Sequence, residues 1–233
     1  FVYQDQKIDV NGEFINLPEW LAGHPVKLKA DADIHFNKLI PVTFTGNTPK
    51  QDGKTKKEQA FLMPEDLFLN INLKIDSLKH ETLPSSDISV NLIYNPGLLT
   101  FNSLNMKSLN GVISGNGFIS QSRTKDLMAR GNFNISGINI NTTFKTFRNF
   151  GQSFIKAENL KGNLTGSLSL LLPLDSLLKP QMKSLIAEGR YIITDGALID
   201  FEPVKELSAF IELTELENIN FEKLENDFFI RNN

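Results

Sequence analysis

The residue types that could do chemistry are few and scattered. Histidine stands only at His24, His35 and His80. No pair of them has metal-ligand spacing and the chain holds no HExxH pattern, so a metal site has no support in the sequence. Cysteine is absent, which removes thiolate ligands, disulfides and a thiol nucleophile together. There is no GxSxG elbow. Gly115-Asn116-Gly117 followed by Phe118-Ile119-Ser120 lacks the last glycine of a dinucleotide fingerprint, and no strand–helix–strand pattern surrounds it. A hairpin turn is its expected role. Asp195-Gly196 lacks the alternating acidic ligands of a calcium loop.

The densest group of ionisable residues is acidic. Glu202, Glu206, Glu212, Glu215, Glu217, Glu222 and Glu225 lie between Asp200 and Asp227. A carboxylate pair can act as acid and base on a glycan. Spread along an expected helix and strand, these residues instead keep an outer face in water. Lys50, Lys54, Lys56 and Lys57 could touch anionic head groups, but Asp52 and Glu58 dilute the run, and a solvated loop is expected. The sequence predicts no catalytic residue, no metal, no cofactor and no enzymatic activity.

The elements carry more information. The 233 residues are 40% apolar and 22% charged, with net charge -3. That is a globular balance without the basic excess of a nucleic-acid binder. Phenylalanine is frequent, at 18, against one tryptophan. No stretch reaches the roughly 18 to 20 apolar residues of a membrane span. The chain begins at Phe1, which reads as a piece of a longer protein whose anchor lies outside these residues.

Period-two alternation dominates. In LFLNINLKID, Leu67, Leu69, Ile71, Leu73 and Ile75 share one face, with Phe68, Asn70, Asn72 and Lys74 on the other. Ile88, Val90 and Leu92 repeat the pattern, as do Leu164, Leu168, Leu170 and Leu172. Asn95-Pro96-Gly97, Gly115-Asn116-Gly117, Ser136-Gly137 and Asp195-Gly196 punctuate the runs as turn signals. The expected fold is mainly β: a long, curved, groove-like antiparallel meander with two short amphipathic helices packed on it. One helix is expected near 142–150, where Phe144, Phe147 and Phe150 recur ahead of Gly151. The other is expected near 203–212, opening on Pro203. Tyr191 to Ile199 should form a hairpin at one end of the sheet, capped by that helix through Val204, Leu207, Phe210 and Ile211.

A weak echo links FINLPEW and FLMPEDL, each leading into alternating sequence. Residues 1–60 are read as an N-terminal β segment ending in a polar, lysine-rich loop, and 61–233 as a β-sheet module. An antiparallel sheet with one continuous apolar face must cover it, and two short helices cannot cover much. An open trough would be a ligand groove or partner surface; closure would make it an ordinary core.

From Phe61 onward the order of segments resembles the C-terminal region of the AsmA-like envelope proteins. The matching pieces are FLMPEDLFLNINLKIDSL, FNSLNMKSLNGVISGNGFIS, GININTTFKTFRNFG, GNLTGSLSL and GRYIITDGALIDFEPVKELSAFIELTELENINFEKLENDFFIRN. The last piece is the most specific. The resemblance implies a periplasmic position, tethered to the inner membrane by a segment not present here, and a role in phospholipid traffic and outer-membrane biogenesis. It also implies a similarity to repeating β-groove lipid-transfer proteins.

Leu69, Ile71, Leu73, Ile88, Val90, Leu92, Leu168 and Leu170 are then the candidates for shielding phospholipid acyl chains. The alternative is a sealed structural or interaction module that extends onto the rest of a longer envelope protein by strand addition. A third reading is an enzyme acting on an envelope glycan through the acidic residues.

Overall fold

The computed structural model describes residues 2–3, 6–40, 61–80, 83–151, 153–205 and 217–231. Eleven strands follow one another in sequence order across a single curved sheet. They are β1 (Val2–Tyr3), β2 (Gln6–Ile15), β3 (Leu28–Phe36), β4 (Leu67–Leu78), β5 (Ser85–Asn95) and β6 (Leu98–Ser108). Then come β7 (Gly111–Gln121), β8 (Leu127–Asn139), β9 (Leu160–Leu174), β10 (Ile186–Ile199) and β11 (Asn218–Arg231). The first and last strands do not pair, so the sheet is open. The mainly-β, groove-like expectation therefore holds, with one correction of detail. β3 and β4 pair in parallel, Leu28 beside Leu67 through Phe36 beside Ile75, and every other junction is antiparallel.

Three of the expected turns are not turns. Gly115 and Gly117 lie inside β7, paired to Phe133 and Gly131 of β8. Ser136-Gly137 lies at an irregularity in β8, between Ile135 and Ile138, with Gly137 at φ 63. Tyr191 to Ile199 is not a hairpin but part of the unbroken β10, in which Asp195-Gly196 forms a bulge between Thr194 and Ala197. Asp195 takes φ 51 there, a left-handed conformation that aspartate tolerates better than most residues. The bulge moves the inward-facing set of β10 from odd to even residues, so Ile193 and Leu198 both face the core. Asn95-Pro96-Gly97 is a turn as expected, between β5 and β6. A second tight turn, Leu109-Asn110, has φ 54 and 66. Asn110-Gly111 is its turn signal.

The helices are short. α1 (Leu17–Leu21) carries a proline in its first turn. α2 (Ile140–Thr146) starts where the Asn139 side chain accepts the Thr142 N–H at 2.8 Å, satisfying one of the orphan donors of a helix start. It ends four residues earlier than expected, and Arg148 to Gly151 follow as a left-handed turn with φ between 50 and 72. α3 (Glu202–Lys205) opens around Pro203, and Val204 in it is half-buried. Leu207, Phe210 and Ile211, like the lysine-rich loop at 46–59, lie outside the described residues.

The core occupies one face of the sheet in three patches. Ala30, Ala32 and Ile71 form the first, Met63, Tyr94 and Leu127 the second, and Ile140, Leu160 and Ile193 the third. The opposite face is mostly polar, with Phe68, Ile93 and Phe118 among its exceptions.

Candidate functional site

Register alone assembles the apolar face. Leu69 sits opposite Tyr94, Ile71 opposite Leu92, Leu73 opposite Val90 and Ile75 opposite Ile88. The parallel junction continues the set, with Ala30, Ala32 and Ile34 beside Leu69, Ile71 and Leu73. Six of the eight acyl-chain candidates, Leu69, Ile71, Leu73, Ile88, Val90 and Leu92, are thus neighbours on β4 and β5. Leu168 and Leu170 lie on the same face four strands away, opposite Phe133 and Gly131 of β8 and Gly189 and Ala187 of β10. Ile71 and Ile88 are buried; the other six are half-buried.

Among the described residues no layer of structure packs over the middle of this face, yet its side chains are buried or half-buried. Among the described residues, the covering segments lie at the strand ends. Ile71 retains only 7% of its exposure, and its apolar partners Ala32, Ile34, Leu69, Leu73 and Leu92 belong to the same sheet face. Side chains on one face shield one another in this way when that face is the inside of a curl. The result is an apolar trough.

Glycines shape its floor. Phe133 lies over Gly131 and Gly115, where a Cβ would come 2.5 and 2.7 Å from the ring. Phe101 lies over Gly117, where a Cβ would stand 2.6 Å from Cζ. The two rings stack with centroids 6.1 Å apart. Rings laid flat across glycines cover backbone that no side chain of its own would cover, and they keep the floor low.

One end of the trough is closed by a strap, residues 61–66, that crosses the strand ends from β9 to β3. The Phe61 N–H donates to the Ser176 carbonyl at 2.7 Å. The Met63 N–H donates to Gln121 Oε1 at 2.8 Å, and the Tyr94 hydroxyl donates to the Pro64 carbonyl at 2.7 Å. Asp66 accepts Trp20 Nε1–H at 2.6 Å, which ties α1 to the strap. Met63 drops inward against Tyr94 and Leu127. At the far end α2 roofs β8–β10, with Ile140 and Phe144 against Leu160 and Ile193.

The outer face is held by amide and carboxylate side chains. Asn91 Nδ2 donates to Asn70 and Asn72, each at 3.0 Å, and these donate onward to Asp31 and Asp33. Asn102 donates to Asn91 Oδ1 at 3.3 Å. This ladder keeps β3 to β6 in register and presents polar groups to water.

Among the described residues no cluster of histidine and carboxylate could hold a metal ion. Glu225 of the acidic segment is occupied by Lys223 and Arg190, whose hydrogen bonds hold its carboxyl below the usual range. His35 meets Asp76 at 2.8 Å on the polar face. No described helix is long and apolar enough to cross a membrane.

Reading alternation finds the floor but not the closure. Met63, Tyr94 and Leu127 are distant in sequence and share no period, so only the fold unites them. The small residues Ala30 and Ala32 do carry a signal, since Leu28, Ala30, Ala32, Ile34 and Phe36 alternate with polar residues. No family model, no curated protein and no solved structure matches this chain.

Proposed function

We propose that the protein is a non-enzymatic module of the AsmA-like kind that shields phospholipid acyl chains in its apolar trough, acting in the periplasm in lipid transport and outer-membrane biogenesis. The observation that carries this reading is the mid-face of the sheet: a continuous apolar floor across β3 to β10 with no covering layer among the described residues. β4 has 12 residues, a span of about 40 Å at strand rise. One leaflet of a bilayer's hydrocarbon core is about 15 Å thick, so a whole acyl chain fits within the trough. Each methylene transferred is worth roughly 0.8 kcal/mol, and a long chain therefore offsets the roughly 4 to 15 kcal/mol cost of association.

Native mass spectrometry of the purified chain, followed by extraction and lipid analysis, tests this. The expected result is phospholipid at fixed stoichiometry, lost in Ile71→Asp or Val90→Asp. A protein that stays lipid-free after incubation with liposomes overturns the reading.

A second reading rests on a different observation. β11 pairs with β10 along 13 register positions, and no described strand flanks its other side. Such an edge can accept an extended segment of a longer envelope protein by strand addition. A lipid-free protein that gained a strand partner would favour this structural role.

A further inference from the structure

We propose that the trough has its mouth at the end opposite the strap, and that this mouth seats the head group of an anionic phospholipid while the acyl chain runs along the strands. The inference rests on the acyl-chain reading above and adds to it an orientation and a head-group class.

An amphiphile in a trough needs one wet end. The strap end is shut by backbone hydrogen bonds and by Met63 packed on Leu127. At the other end a cavity of about 700 Å³ opens between α2 and the adjoining ends of β4 to β7. Its rim carries Ser77, Lys79, Ser86, Lys107, Thr142 and Thr146, and among the described residues no carboxylate is part of its lining. Leu78 and Leu109 also line it, and its Ser77–Ser86 pair lies two positions along β4 and β5 from the floor pair Ile75–Ile88. The cavity is therefore lined by apolar side chains together with hydroxyls and two ammonium groups.

The charges favour a net anion. Lys107 Nζ lies 2.9 Å from Asp87, which takes up one of the two positive charges on the rim. Lys79 supplies the second. The buried hydroxyls of Ser85 and Ser108 are spent on the carbonyls of Leu83 and Pro84. The side chains of Ser77, Ser86, Thr142 and Thr146 donate to no described residue, so their protons can go to a phosphate oxygen. Choline would bring a second cation to a rim already positive, whereas glycerol would bring none.

The test compares two vesicles with the same acyl chains, dioleoyl phosphatidylglycerol and dioleoyl phosphatidylcholine, at low salt. Lipid retained by the protein is counted by native mass spectrometry. Retention of the glycerol lipid should exceed that of the choline lipid about fivefold, the scale of one or two exposed ion pairs, and the ratio should fall with added salt. Lys79→Glu with Lys107→Glu should bring the ratio to one or below. Lys79→Gln with Lys107→Gln serves if the reversed pair fails to fold. A ratio near one in the wild type, or a preference that survives both double variants, overturns the head-group site and leaves the trough standing. Displacement of the glycerol lipid by inorganic phosphate would mean a bare anion site and would also overturn it. Retention of neither lipid overturns both this inference and the reading it rests on.

Discussion

Leu127→Ala is the perturbation that best tests whether the strap is part of the folded core. Leu127 opens β8, pairs with Gln121 on one side and Leu174 on the other, and is 2% exposed. It is the only large side chain described as fully buried. Its immediate neighbours are Met63 of the strap and Tyr94 of β5. Truncation leaves a void that the sheet backbone cannot collapse around, because hydrogen bonds fix strand spacing on both sides. The expected cost is about 3 kcal/mol, the middle of the leucine-to-alanine range. At this chain length that lowers Tm by roughly 6 to 12 °C. Urea denaturation with a shared slope gives the free energy, and hydrogen exchange at the Met63 amide reports on the strap itself. That amide is held by Gln121, so its protection should fall about a hundredfold, the same 3 kcal/mol read locally. A cost below 1 kcal/mol, or a Met63 amide that exchanges freely already in the wild type, would refute the idea that the strap is packed closed.

Three further outcomes follow from other contacts. Gly131→Ala should destabilise by about 1 to 3 kcal/mol in chemical denaturation, since the new Cβ meets the Phe133 ring and the ring must move; a neutral or stabilising result would show that the rings do not lie on the glycines. Asn91→Ala should cost about 1 to 2 kcal/mol by removing the hub of the side-chain ladder, and amide exchange should rise in β4 and β6 together; a change confined to β5 would count against the ladder as a register device. Burial pushes the Tyr94 phenol above its ordinary value of 10.0, so the fold favours the neutral form. Its contribution is therefore complete below pH 10 and is lost as pH rises through the raised value. Stability measured from pH 8 to 11.5 should fall more steeply in the wild type than in Tyr94→Phe, and parallel curves would refute the assignment.

Alternation made the strands legible because each needs one wet and one apolar face, and that constraint acts residue by residue. It put Leu69, Ile71 and Leu73 on one apolar face and Ile88, Val90 and Leu92 on another, and register then set the two opposite each other. The glycines misled, because a glycine between polar residues carries the same signature whether the chain turns or a ring from the next strand needs the space. Gly115 and Gly117 are of the second kind, and only the position of Phe101 and Phe133 distinguishes them. Asp195-Gly196 misled for a related reason: a bulge and a hairpin both ask for a left-handed residue. The parallel junction left no trace in the alternation, since a strand with one buried face reads the same whichever way its neighbour runs. The mouth of the trough was invisible too, because its rim is collected from four separate chain segments.

That parallel junction sets an order of assembly. From β4 to β11 each strand meets the one made just before it, so this part can grow by pairing sequence neighbours. β3 joins β2 in the same way, but its other edge has no partner until the chain has returned to begin β4. The crossing delivers the strap as its last piece, directly ahead of Leu67. Met63 cannot seat until Tyr94 of β5 and Leu127 of β8 exist beneath it. The strap therefore closes late, over a floor already laid. Kinetically the trough passes through a stage open at both ends, and refolding in the presence of lipid should load cargo faster than adding lipid to the finished protein.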